Sequence, residues 1–539
     1  MVYNTIIIGS GISGMFTLKH LIDEGQTNVL ILDKNKEPFG VWNINNNPSV
    51  FDNTYAVSSK LYMTISDFPL PKDMPEFPHH SLILNYYKEY AKHFNLYKYI
   101  KQDCKVDSIV KQNGVWIIKT NTGIYHSRNI VIATGTVNDC PNIPNDEMYK
   151  NFKGDMYHSN SFDKIKNAKG KRILIVGGSD TAMDSAMELK NHNQVTISIK
   201  NGVWFQNRIH GAYEPADMFY SRLLDYLIKN FLTKQFKTQD LDVNKITAHW
   251  WGDGGSGIEI WKPKCDYLNS YYVKSREVIE QIAKGAIIPE NGVVKIHQNS
   301  VTFKTNDTHE YDTILFCTGY KPLGCMKFLN DEIVVSKKYK HIFYPNDPSI
   351  MFVGFIRPYL TSIPMLSELQ SRWIAKVICG KVGLPSVQQM NDENVEDDAN
   401  QQNEFSCAYD RLKTMVDPYD YCNMIADKIG AQLNKTSLLF QDPRLLYMIL
   451  VGTWNHHVYR LNDPDEEKRK IAIENIKHGY DEKISEKIRI KVYEAIYNFF
   501  FNILFTLFFV VLIVYFYRKS LTQYFNIFVK KMKTTFATI

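Results

Sequence analysis

Two glycine-bearing turns carry the residue types that cradle a dinucleotide. In the first, Thr5 to Ile8 reads as a buried parallel strand running into Gly9-Ser10-Gly11-Ile12-Ser13-Gly14. A helical stretch follows to about Asp23, then a second strand over Val29 to Leu32, then Asp33. This is G-x-G-x-x-G in a strand–turn–helix setting with an acid after the next strand. Gly9 permits the tight turn, Gly11 lets backbone approach a pyrophosphate, and Gly14 allows helix and strand to pack closely. The helix N-terminus adds free N–H groups and a positive dipole end. Asp33 can accept from a ribose hydroxyl, and its charge would repel a 2′-phosphate.

The second turn follows Arg172 to Val176 and reads Gly177-Gly178-Ser179-Asp180-Thr181-Ala182, with a helix to about Lys190 and a strand from Val195 to Ile199. Gly177 and Ala182 keep the outer positions, and Ser179 stands at the middle one, still small enough for close approach. Where the first unit has Asp33, this one has Lys200. A cation there suits the 2′-phosphate of NADP, with Arg208 as a second candidate. The charge contrast assigns FAD to the first turn and NADPH to the second. Two apolar strands, Ile130 to Thr134-Gly135 and Ile314 to Thr318-Gly319, end at Thr-Gly turns of the kind that bring backbone to a cofactor.

Between the two turns, Phe152-Lys-Gly154-Asp-Met-Tyr-His158-Ser-Asn-Ser-Phe162 fits the pattern F-x-G-x-x-x-H-x-x-x-[F/Y]. With it the chain resembles, over nearly its whole length, the flavin-containing monooxygenases, the class B flavoproteins of dimethylaniline, N-oxide-forming type. Phe39-Gly40-Val41-Trp42 is similar to the family's flavin-contacting segment. Ser58-Ser59-Lys60, Ser66-Asp67-Phe68-Pro69, Glu368 to Trp373 and Asp442-Pro443 also stand where that family has theirs. The resemblance implies an FAD-dependent, NADPH- and O2-using monooxygenase that oxygenates soft nitrogen or sulfur nucleophiles through a C4a-hydroperoxyflavin. Phe162, where Baeyer–Villiger enzymes typically have Trp, favours the heteroatom-oxidising branch. The chemistry is then the flavin's, no acid–base dyad is required, and His158 reads as a stabiliser of the interdomain linker.

One position departs from the family. Its members carry Asn just before the Ser-Ser-Lys segment, where the amide can hold NADP⁺ and the flavin peroxide; this chain has Val57, with Ser58 adjacent. Valine donates no hydrogen bond, and one preorganised donor is worth on the order of 3 kcal/mol. Val57 therefore predicts a shorter-lived peroxide or a narrower substrate range. It also keeps open an NADPH oxidase that releases hydrogen peroxide, beside a Baeyer–Villiger-like enzyme or a non-catalytic nucleotide-binding protein.

These sites need an α/β fold with two Rossmann-like domains, and 539 residues suffice for both. The expected division is an FAD domain over 1–150 and 311–450, an NADPH domain over 151–310 with an insertion at about 214–257, and a helical extension over 451–496. The uncharged run Tyr497 to Tyr517 predicts a C-terminal transmembrane helix, followed by a short basic tail over 518–539. With no signal peptide at the N-terminus, that implies a single-pass anchor with a cytosolic catalytic body; the endoplasmic reticulum follows from the family resemblance alone. Asn391 to Glu404, acidic and amide-rich, reads as an exposed loop. A net charge of +6 without a basic stripe argues against nucleic acid as a partner. The eight cysteines lack a C-x-x-C pair or zinc-like spacing, which points to no metal site, reduced thiols and no disulfide-reductase chemistry.

Overall fold

The computed structural model describes residues 1–46, 50–71, 73–137, 140–144, 147–210, 214–227, 229, 258–263, 272–275, 277–321, 326–404, 414–480 and 484–490, with 493, 497, 508 and 527 singly. Strand β1 (Val2–Ile8) is apolar without alternation over Ile6 to Ile8 because elements cover both of its faces. It lies between β2 (Val29–Leu32) and β6 (Gly123–Ile132), parallel to both. With β3 (Ile100–Lys101), β4 (Val106–Gln112) and β5 (Val115–Thr120) the sheet runs β3-β2-β1-β6-β5-β4. The long β6 is shared along one edge. Its first half pairs antiparallel with β5, and its last residues pair parallel with a late strand, Ile350–Phe352. Chain from well past the second nucleotide turn thus returns to complete the first sheet.

A second sheet is wholly parallel, in the order Ile287–Asn291, Gln194–Ile199, Arg172–Val176, Thr313–Phe316, Asp155–His158. In each sheet one central strand ends at a glycine turn that feeds a helix: α1 (Ile12–Asp23) after β1, and α2 (Asp180–Leu189) after Arg172–Val176. Helix α1 packs on α3 (Ile363–Ile378), with the Thr17 and Ser371 hydroxyls 3.0 Å apart between them.

The motifs at Ser66–Asp67 and Glu368–Arg372 meet in the core, where they bind the C-terminal extension to α1. Glu368 accepts from Ser66 N at 3.0 Å, from His456 Nε2 at 2.9 Å and from Arg460 Nη2 at 3.2 Å. Arg460 also donates to Asp67 at 2.9 Å and Asp463 at 2.9 Å, while the Lys19 ammonium bridges Asp67 and Asp23. Burial opposes ionisation of Glu368, yet the bond from His456 and the charge of Arg460 hold its carboxyl well below the usual range. His20, Asp23 and Asp67 bring ligand atoms within 4.8 Å of one another, and the Lys19 ammonium bonds to both carboxylates of that group.

Several histidines are buried as neutral rings. Burial, reinforced by Lys19, pushes His20 down to about 4, and burial does the same to His341. Such a ring stays neutral in the folded chain while the unfolded chain protonates below about pH 6.5. Its contribution to stability is complete above the unfolded value and is lost as pH falls from there toward 4. At about 1.4 kcal/mol per unit, the buried His20 removes ~2 kcal/mol by about pH 5. The urea midpoint should therefore drop clearly between about pH 7.5 and pH 5; equal midpoints would contradict neutral burial.

Three expectations change. Among the described residues no helix is long and apolar enough to cross a membrane. Window hydropathy reports composition, whereas a span needs one continuous apolar helix. The expected C-terminal transmembrane helix is therefore not supported, nor is the single-pass anchor, and the endoplasmic-reticulum placement drawn from the family resemblance loses the anchor it required. Tyr497 to Tyr517 lies outside the described residues apart from Tyr497 and Phe508, and so does the tail apart from Ile527. Asn391 to Glu404 is not a loop but most of a helix, α4 (Val387–Glu404). Tertiary pairs fasten it where apolar periodicity is weak: Met390 is buried, Lys340 bonds Asp397 at 2.8 Å, and Tyr339 donates to Glu393 at 2.9 Å. Finally, Cys140 is disulfide-bonded, whereas Cys104, Cys317, Cys379 and Cys422 are free thiols. Spacing along the chain reveals only local pairs, so a bond to a distant cysteine left no signature.

Candidate functional site

The glycines of the first turn are required by contact as well as conformation. Gly9 has φ +108, and a Cβ there would lie 2.5 Å from the carbonyl oxygen of Ala133. A Cβ on Gly14 would lie 2.1 Å from the Gly9 carbonyl oxygen. Gly11, the N-cap of α1, has open space instead and no side chain capping the helix, so the first N–H groups of α1 remain available to an anion. Asp33, 6% exposed, accepts from Ser10 N at 2.6 Å and from Asn35 N at 2.8 Å. Those bonds fix its carboxylate at the end of β2 with lone pairs left for a ribose.

This turn opens on a cavity of about 740 Å³. Gly9, Gly11, Ile12, Ser13 and Asp33 line one end. Gly40, Val41, Trp42, Thr134 and Gly135 line its flank, and Val57 and Ser58 form part of the wall. Ser10 and Gly14 stand behind the lining as supports. Glycine cradle, uncapped helix and anchored acid together fit an FAD dinucleotide, which Gly9 to Gly14 and Asp33 would hold. Thr318 and Gly319 do not line the cavity. They bind the linker instead, where Asn142 N donates to the Gly319 carbonyl at 2.8 Å. His158 Nε2 lies 2.9 Å from that same carbonyl, and its ring meets Tyr320 edge-on, so it braces this crossing. Phe162 stacks on Phe51 at 4.2 Å.

The second turn repeats the logic. Gly177 has φ +140, and a Cβ would sit 2.4 Å from the Cys317 carbonyl oxygen. A Cβ on Gly178 would meet Ile199 at 2.9 Å, and Ala182 is fully buried against the sheet. Ser179 caps α2 without a side-chain bond, leaving N–H groups of Asp180 and Thr181 at the mouth. Lys200 is exposed at the end of its strand, as a 2′-phosphate partner must be. Arg208 is engaged elsewhere: Nε donates to the Lys274 carbonyl at 2.7 Å, and Nη2 lies 3.4 Å from Asp184. Burial raises Asp184 to about 6 despite that arginine.

Where the two units meet, the cavity takes Asp180, Tyr272 and Lys274 from the side of the second sheet, and Arg357, Tyr359 and Thr361 from the returning chain. Of these, only Asp180 carried a motif. Behind them lies Asp217, 3% exposed, whose Oδ2 accepts from Ser59 N at 2.8 Å. Ser58 Oγ donates to the Thr361 carbonyl at 2.7 Å. The Val57–Ser59 segment is thus fixed from both directions. Burial raises the Asp217 carboxyl, with Lys274 acting in opposition. Asp217 lies within the expected insertion at 214–257, which is outside the described residues beyond 227 apart from Lys229.

Comparison with known proteins agrees with this geometry. The family described as flavin-binding monooxygenase-like matches residues 3–520. The chain is 29% identical over 490 residues to dimethylaniline monooxygenase [N-oxide-forming] 2 of Mus musculus, covering 86% of this chain and 90% of that one. It is 29% identical over 491 residues to flavin-containing monooxygenase 2 of Homo sapiens, again covering 86% and 90%. Among solved structures, the S-allyl-L-cysteine S-oxygenase of Allium sativum superposes with a TM-score of 0.57 at 19% identity, over 89% of this chain and 99% of that one. An NADP⁺-bound cyclohexanone monooxygenase from Rhodococcus sp. Phi1 gives 0.59 at 15% identity, over 80% and 98%. At those identities the structures establish the fold.

Proposed function

The chain belongs to the flavin-binding monooxygenase-like family and is an FAD-dependent, NADPH-using monooxygenase; from that premise we propose that it oxygenates soft nucleophilic nitrogen or sulfur in small organic molecules. The observation carrying this reading is one cavity lined both by the first glycine turn and by Asp180, the first residue of α2. A nicotinamide nucleotide seated on the second turn would extend into the space a flavin occupies.

Bound there, the flavin supplies hydride acceptance and oxygen activation. The protein's own tasks are to align and to exclude water. The turn at Gly9 to Gly14 and Asp33 would fix the FAD. The uncapped start of α2, with Lys200, would fix the NADPH. Aromatic Trp42, Tyr272 and Tyr359 line the cavity. We assign the first nucleotide unit to FAD, with its sheet completed by Ile350–Phe352, and the unit around Arg172–Val176 to NADPH.

Val57 favours one second reading, an oxidase that returns the electrons of NADPH to oxygen as hydrogen peroxide. The decisive assay uses the FAD-loaded protein with NADPH, oxygen and a dialkyl sulfide, with a cyclic ketone in parallel. Sulfoxide matching the NADPH consumed is the expected result. Peroxide matching NADPH with no sulfoxide establishes the oxidase, and lactone from the ketone with no sulfoxide establishes a Baeyer–Villiger enzyme.

A further inference from the structure

The cavity wall at Val57 is apolar, yet a buried cation stands beside it. Lys274 is 9% exposed and lines the same cavity as Val57 and Ser58. Its backbone N–H donates to Asp180 Oδ1 at 2.8 Å, which ties it to the first residue of α2. Its ammonium lies 3.9 Å from Asp217 Oδ2, near enough for an ion pair and too far for a hydrogen bond. Among the described residues that Nζ has no hydrogen-bond acceptor. Asp217 is underbonded too: Oδ2 holds Ser59 N, while Oδ1 is buried with no partner among the described residues.

Among the described residues, a buried carboxylate oxygen without a donor is costly, and the Lys274 ammonium beside it faces the cavity with donor capacity to spare. They are consistent with a site completed by a ligand. Position selects the ligand. Lys34, Lys105 and Lys327 line the cavity beside Asp33, Cys104 and Phe328, at the end where the first turn lies. Arg357 comes from the returning chain. Lys274 is, among the described lining residues, the cation contributed from the side of the second sheet, and it bridges α2 to the segment carrying Val57.

We propose that Lys274, seated by Asp180 and Asp217, donates to an oxygen of the nicotinamide half of the dinucleotide and so holds it in the cavity beside Val57, which offers no donor. Asp217 is a positioning residue: it fixes the Ser59 backbone and the ammonium together. This rests on the monooxygenase reading above, since it needs NADP⁺ to reach the flavin cavity.

The test titrates NADP⁺ into FAD-loaded protein and follows perturbation of the flavin absorbance, a readout independent of turnover. Lys274→Met should raise the dissociation constant about ten- to a hundredfold, the worth of one charge-assisted hydrogen bond. Lys274→Arg should recover most of the affinity. Val57→Asn should restore part of it in the Lys274→Met background, because it adds a donor to the same wall. Wild-type affinity in Lys274→Met with normal flavin content overturns the proposal. If that variant loses its flavin, Lys274→Gln is read by the same criteria. A wild-type flavin that does not respond to NADP⁺ would instead overturn the reading on which the proposal rests.

Discussion

Gly14→Val should leave the protein without bound flavin. A Cβ at this position would lie 2.1 Å from the Gly9 carbonyl oxygen, 3.2 Å from its carbon and 3.4 Å from the Ala133 Cβ. The first two are backbone atoms of the turn, so no side-chain rotation relieves them. Overpacking a core typically costs about 1–3 kcal/mol when side chains can adjust. Here α1 must move off β1, which takes its N-terminal N–H groups away from the pyrophosphate position, and the cost should exceed ~4 kcal/mol. The ratio of visible flavin absorbance to protein absorbance after gel filtration should fall at least about tenfold. Gly11→Ala is the informative partner, because nothing lies within 4 Å of its Cβ. It should fold normally and bind FAD more weakly, since the methyl occupies space needed by the ligand. Full flavin content in Gly14→Val would mean that the turn does not hold FAD.

Glu368→Ala is expected to destabilise the fold by ~3–5 kcal/mol, the usual consequence of removing one partner from a buried ion pair. The carboxylate is 1% exposed and accepts from Ser66, His456 and Arg460. Its loss leaves Arg460, itself 3% exposed, with Asp67 and Asp463 as charged partners, and leaves the Ser66 N–H unmet. The urea midpoint should drop sharply. Proteolysis should cut first in the segment after 451, because this network is what fastens that extension to α1. Glu368→Gln keeps two acceptor lone pairs without the charge and should fall between wild type and alanine. An unchanged midpoint in Glu368→Ala would show that the extension is held by its apolar contacts alone.

Both glycine turns were legible in the chain because their geometry is local. A strand, a glycine where φ must be positive, a helix start and the residue ending the next strand all fall within one short unit. Contacts inside that unit decide which residues can stand there. The charge at Asp33 and at Lys200 could be read for the same reason. The motifs at Ser66–Asp67 and Glu368–Arg372 were equally visible as patterns, but their use was not. Only folding brings them together with Lys19 and Arg460, in a buried network apart from the lining of the cavity.

Single residues acquired distant partners that the chain does not announce. Arg208 looked available for a phosphate until the fold gave it Asp184 and the Lys274 carbonyl. Thr318 and Gly319 looked like a cofactor turn and instead hold the linker at Asn142. Asn391 to Glu404 read as loop because its weak periodicity hid the ion pairs of α4 with Lys337 and Lys340. The uncharged C-terminal run met a compositional test for a membrane span that no helix among the described residues meets. The chain by itself determined the two glycine turns, since turn geometry is fixed by residues a few positions apart. The tertiary structure alone decided the wall between them, where Ser59, Asp217 and Lys274 meet, because a buried charge is defined by neighbours that the sequence keeps far apart.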